Sequence, residues 1–226
     1  MKLVCEEIHY SFEIKENKVP IYIIENPKFY LHLLLSLKEE IDENKEGIFS
    51  LFEETKELKL SKNVLFIGDL LHLDFHNRKI VSAIFHQLKE YTLKDEIYAE
   101  KLEMEGVLKG FLYRIIDNFS YPLEMEDNIE YEDLFKLFHI HISEDYDSYL
   151  EKLIDYLTLS YDLDLMKCVI FVNLKTILGE DECRKLYQQC FYKKIPIILF
   201  ENREYEYTIK EEEKIIVDFD LCEIRL

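Results

Sequence analysis

The sequence predicts an α/β protein with an inserted all-helical segment. Three observations carry this reading. Short β-branched apolar runs mark both ends of the chain, and the stretch 77–119 shows apolar residues at helical spacing only. Just five Gly and four Pro among 226 residues point to short loops and long helices.

In chain order, residues 1–5, 8–14 and 19–24 read as short strands, the last two separated by the polar turn Lys15-Glu16-Asn17-Lys18. Asn26-Pro27 then opens a helix, because Pro suits a first-turn position, and Phe29, Leu33, Leu34, Leu37 and Ile41 form its apolar stripe. Residues 63–67 (NVLFI) are a buried strand candidate. After His76-Asn77, Ile80, Ile84, Leu88 and Tyr91, then Ile97, Leu102, Val107, Leu108, Phe111, Leu112 and Ile115, predict two long helices. They are expected to form an antiparallel pair joined near 92–95, with a short third helix around 130–138.

The last third returns to α/β. Residues 146–160 form an amphipathic helix, 168–172 (CVIFV) a strand, 179–191 a helix and 195–200 (IPIILF) a second buried strand. Apolar strands joined by a helix indicate a parallel βαβ unit buried on both faces. Residues 214–217 and the C-terminus are expected to add strands. The predicted organisation is a discontinuous α/β domain, 1–75 plus 139–226, with a helical insert, 76–138.

A hydrophobic fraction of 48% with 15 Phe and 16 Tyr is the composition of a packed globule and excludes a disordered chain. The net charge of −19 repels polyanions on average, yet the charge is segregated. Residues 56–94 hold seven bases against four acids, a net of +3, whereas 124–147 hold nine acids and one base, Lys136, a net of −8. Cys5, Cys168, Cys183, Cys190 and Cys222 are odd in number and lack CxxC spacing, which fits a reducing compartment. With no apolar run of about 20 residues and no signal-like N-terminus, the expectation is a cytoplasmic protein without a membrane partner.

The segment VLFIGDLLHLD (64–74), the long helical insert, the acidic turn 123–133 and KCVIFVNLKTILGEDECRKLYQQCFYKKIPIILFE (167–201) follow one another in a familiar order and spacing. Over nearly its full length the chain resembles the accessory spacer-acquisition proteins of type II-A CRISPR–Cas systems. That resemblance implies a head similar to the P-loop NTPase α/β fold, with the helical insert as a leg. It also implies a homotetrameric ring whose positively lined hole takes double-stranded DNA, preferably at ends, and calcium ions near the head–leg junction. The implied partners are the CRISPR integrase and the effector nuclease, and no catalytic activity is implied.

Six of the ten residues 124–133 are carboxylates, with no base among them. Such a run is solvated, paired with distant cations or closed around a metal. The resemblance places calcium ligands here, and the candidates are Glu124, Glu126, Asp127, Glu130 and Asp133, although the run has no EF-hand spacing. Non-specific DNA binding needs only repeated phosphate neutralisation, for which Lys56, Lys59, Lys62, Arg78 and Lys79 are the candidates. Lys193-Lys194 reads instead as a solvated loop.

The alternative is a metal-dependent nuclease or hydrolase built on His72, Asp74 and His76, with Asp69 as a further acid. In a strand their spacing would put all three groups of 72–76 on one face, whereas in a loop Asp74 or Asn77 would cap the next helix. His139 and His141 read as the exposed face of a short strand. Nucleotide hydrolysis lacks its motif: Asn173-Leu-Lys175-Thr176 follows a strand, but no glycines bring backbone amides to a phosphate. The chain is therefore expected to be no enzyme. A purely structural interaction module is the third possibility.

Overall fold

The computed structural model describes residues 1–43, 45–126 and 128–226. Along the chain these form β1 (Lys2–Cys5), β2 (Phe12–Glu13), β3 (Val19–Ile24), α1 (Pro27–Glu43), β4 (Phe49–Glu53) and β5 (Lys56–Leu58). Next come α2 (Leu60–Asn63), β6 (Val64–Ile67), α3 (Arg78–Tyr91), α4 (Asp95–Ile116), α5 (Tyr131–Leu137) and α6 (Tyr149–Asp162). The chain closes with β7 (Cys168–Val172), α7 (Leu174–Ile177), α8 (Glu180–Lys193), β8 (Ile197–Glu201), β9 (Glu212–Val217) and β10 (Glu223–Arg225). The fold is mixed α/β. It divides into an α/β unit, Met1–Asp74 with Glu144–Leu226, and a helical unit, Phe75–Ser143.

The α/β unit is built on a six-stranded sheet ordered β10-β9-β3-β8-β7-β6, parallel except for β10. Every residue of β3, β7 and β8 is buried, because a parallel strand is covered on both faces and must be apolar throughout. Tyr22, Ile24, Ile170, Ile198 and Phe200 face one side. There they pack with α1 (Leu33, Leu37) and with a four-stranded antiparallel sheet, β2-β1-β4-β5. Phe200 stacks on Tyr22 with ring centroids 4.9 Å apart and meets Phe49 edge-on at 6.1 Å. The alternate residues Ile21, Val169, Phe171, Ile197 and Leu199 are buried on the opposite side, as are Leu153 and Leu157 of α6 and Leu186 and Tyr187 of α8.

Local chemistry sets the helix starts. The Asn26 carboxamide accepts the N–H groups of Lys28 and Phe29, both at 3.1 Å, and Pro27 takes the first helical position. Ser148 caps α6, and the Glu182 carboxylate reaches back to the Gly179 N–H at the start of α8. At the other end of α1, the buried Glu40 carboxylate accepts the N–H groups of Ile48 and Phe49, tying the helix to β4. Gly47 lies directly against that carboxylate, and a Cβ there would overlap it.

Three expectations change. Of the strand expected over 8–14, only Phe12–Glu13 is one. The β4–β5 hairpin is an addition: Glu54 makes its turn at φ 55°, a conformation usually signalled by Gly or Asn. The strand expected at 139–142 does not form, since His139 adopts φ 51°, which breaks an extended chain; both histidines are nevertheless exposed.

In the helical unit, α3 packs on α5 through Phe85 and Phe135, 5.6 Å apart, with Ile80 and Tyr131 buried beside them. Tyr131 donates to Glu105 of α4 at 2.9 Å and lies under the Lys101 ammonium. α4 itself buries none of its 22 residues. Met104, Val107, Phe111 and Ile115 recur at steps of three and four, giving one apolar face of which Val107 is 69% exposed.

Candidate functional site

The candidate DNA-binding residues fall on two kinds of element. Lys56 lies on β5, the edge strand of the small sheet, opposite Glu53. Lys59 precedes α2 as its N-cap, and Lys62 lies in the last turn of that helix. Arg78 and Lys79 open α3, where Asn77 caps the helix by accepting the Ile80 N–H at 3.0 Å. All five side chains are exposed or half-buried, and none is bonded to a carboxylate among the described residues.

The acidic candidates do not close on one another. Glu124 and Glu126 are exposed, and Asp127 lies outside the described residues. Glu130 is the N-cap residue of α5 rather than part of its body; it pairs with Lys89 at 3.3 Å and accepts from Asn128 at 2.7 Å. Asp133 pairs with Lys136 at 2.8 Å. Among the described residues no three His, Cys, Asp or Glu side chains are grouped as a metal site. Glu130 and Asp133 are thus turned to cations and an amide, and the described carboxylates are not grouped as a calcium cage.

His72, Asp74 and His76 sit in loop backbone between β6 and α3, not in a strand. Leu73 and Phe75 alternate with them and are buried. The boundary between the two units falls at 74/75, so His76 belongs to the helical unit and the other two to the α/β unit.

Sequence reasoning missed a buried polar cluster after β7 and β8. Asn173, in left-handed backbone (φ 53°), accepts from the Tyr30 hydroxyl at 2.9 Å and the Asn202 N–H at 3.2 Å. The Lys175 ammonium bonds both Glu212 oxygens, at 3.0 and 3.1 Å, and the Tyr207 carbonyl, so its charge is neutralised internally. Tyr187 also donates to Glu212. Glu201 is fully buried; one of its oxygens accepts the Lys175 N–H at 3.1 Å, and the other has no hydrogen-bond partner. Burial pushes its carboxyl up to about 7, against the opposing pull of Lys175 and of the Tyr205 hydroxyl. The available signal was a carboxylate closing the apolar run Ile197–Glu201, where an exposed residue would be ordinary.

Comparison with known proteins decides the family. The family model described as CRISPR-associated protein (Cas_Csn2) matches residues 41–221. The chain belongs to the Csn2 family of CRISPR-associated proteins. A family member from Enterococcus faecalis, "CRISPR-associated protein Csn2", is 23% identical over 204 residues, covering 88% of this chain and 91% of that protein. Membership places the chain among the accessory proteins of type II-A CRISPR adaptation. No helix among the described residues is long and apolar enough to cross a membrane.

Proposed function

We propose that this Csn2 family member binds double-stranded DNA, preferably at ends and without sequence preference, as a homotetrameric ring serving spacer acquisition. It acts by binding rather than by catalysis, alongside the CRISPR integrase and the effector nuclease. The observation that carries the reading is the state of the five cations. In a chain with 47 acids and 28 bases, Lys56, Lys59, Lys62, Arg78 and Lys79 stay outside any carboxylate pair among the described residues, with none of them buried. Repeated around one hole, such cations concentrate positive potential that the −19 protomer lacks on average. The uncovered face of α4 supports self-association, since an apolar stripe of that length marks an interface.

The strand order β9-β3-β8-β7-β6 supports a P-loop-NTPase-like head, and the helical unit is its leg. β3 runs into Glu25-Asn26-Pro27, with no glycine to cradle phosphate. Light scattering is expected to give four times the 27.4 kDa protomer mass. Linear duplex should bind with a steep salt dependence and closed circles much more weakly. A monomer at micromolar concentration, or equal affinity for circles, refutes the ring. Cleavage of labelled duplex with magnesium or manganese would refute the non-catalytic reading.

Calcium dependence, implied by the family resemblance, attaches to Glu124, Glu126, Asp127, Glu130 and Asp133. Binding would require Glu130 to leave Lys89 and Asn128, and Asp133 to leave Lys136. Calcium is expected to raise Tm and hold the tetramer mass; no change in either, with calcium or chelator, removes it from the proposal.

A further inference from the structure

The helical unit contains a groove of about 880 Å³, walled by the first turns of α3, by α5 and by residues 139–141, with Phe85 and Ile140 in its lining. The charged and titratable groups facing it from these elements are His76, Arg78, Glu132, Lys136, His139 and His141. Glu132 is the one acid among them, and Asp133 beside the groove is engaged with Lys136 at 2.8 Å. With Lys136 so engaged, Arg78 is the cation of the groove outside any carboxylate pair among the described residues. The elements of the fold do not call for these groups: His139, His141 and Arg78 are not buried and cover no apolar core of the unit.

The ring geometry narrows the ligand. His141 Nδ1 lies 2.6 Å from the His139 carbonyl oxygen, which only accepts, so Nδ1 carries the proton and Nε2 is the atom left for a ligand. A neutral ring with that tautomer accepts at Nε2; a protonated ring donates there with a full charge. The His76 and His141 centroids are 5.9 Å apart, so one oxyanion can reach both rings. The Arg78 guanidinium suits its oxygens as a two-pronged donor. A metal cation would meet Arg78 as a repulsive neighbour.

We propose that this groove binds phosphate groups, whether those of a nucleic-acid backbone or of a free phosphate. The site does not require the duplex reading above, because pyrophosphate alone would occupy it. The test has two arms, both on the full chain. With histidine rings labelled for NMR at pH 6.5, pyrophosphate should shift the His76, His139 and His141 signals saturably, and an R78Q/K136Q variant should weaken this roughly tenfold. In the second arm, duplex affinity at fixed salt and pH should fall roughly tenfold in H76Q/H139Q/H141Q. Pyrophosphate binding without the duplex effect assigns the groove to a free phosphate. No saturable shift in the first arm, or the same shift in R78Q/K136Q, overturns the proposal. Absence of duplex binding in the unaltered chain with pyrophosphate binding intact would instead refute the DNA reading and leave the groove standing.

Discussion

Glu201 offers the sharpest test of the buried cluster, because its environment predicts both the sign and the size of a pH effect. Its carboxyl is fully buried with one oxygen unpartnered, and desolvation raises it from 4.5 to about 7. A carboxyl raised on folding holds its proton more tightly in the folded chain than in the unfolded one. Its contribution to stability is therefore complete below pH 4.5 and is lost as pH rises through 7. Between pH 5.8 and 8 the loss is between roughly 1 and 2 kcal/mol, at about 1.4 kcal/mol per pH unit below the folded value. The starting pH of 5.8 keeps the protein clear of its isoelectric point near 4.8.

Glu201→Gln mimics the protonated acid and does not titrate. Its amide would retain the bond to the Lys175 N–H, while the second position gains a donor that the pocket does not answer. That packing cost is independent of pH, a constant offset between the two proteins in urea unfolding that drops out of the change between one pH and another. The expected result is a stability difference, variant minus wild type, that moves in favour of the variant by between roughly 1 and 2 kcal/mol from pH 5.8 to 8. A difference constant to within about 0.3 kcal/mol across that range refutes the reasoning, because Glu201 would then titrate alike in both states.

Gly47→Ala forces the Glu40 carboxylate away from the N–H groups of Ile48 and Phe49, and thermal or urea unfolding should show a loss of about 2–4 kcal/mol. Replacing Lys56, Lys59 and Lys62 by Gln should flatten the salt dependence of duplex binding by up to about 0.9 for each phosphate left without its cation, with unfolding stability unchanged within about 0.5 kcal/mol. Phe111→Glu places a charge on the uncovered face of α4, and light scattering should report a smaller assembly with the circular-dichroism spectrum unaltered. Each outcome is independent of the Glu201 measurement.

The α/β core was legible because its strands are unbroken apolar runs: VPIYII, CVIFV and IILF can hardly be exposed, and all are buried. The long helices α3 and α4 followed from spacing alone. The β4–β5 hairpin was not legible, since Glu54 takes a left-handed turn without the Gly or Asn that would announce it. The segment at 139–142 misled in the opposite direction, for its polar–apolar alternation imitates a strand that His139 interrupts. Charge was the least readable property. Lys175, Glu201, Glu212 and Lys214 look like surface residues in the sequence, yet Lys175, Glu201 and Lys214 are buried, and the Glu212 side chain closes the internal pair with Lys175. No local pattern reveals that two distant charges meet inside a fold.

The positions of the unburied cations bear on whether they serve the fold or a ligand. Lysine on an edge strand guards against unwanted pairing, so Lys56 alone has a sufficient structural explanation. Arg78 and Lys79 have none. They occupy the first turn of α3, which contains no acid, and cations at that positive end of a helix cost about 0.3–1 kcal/mol each. The helix start is already secured by Asn77, so nothing local requires charge there. Arg78 also lines the groove with three histidines and Lys136, in a unit whose remaining charge is strongly acidic. A cation held at an unfavourable helix end, beside other cations and outside any carboxylate pair among the described residues, is best accounted for by an anion that arrives from outside the chain.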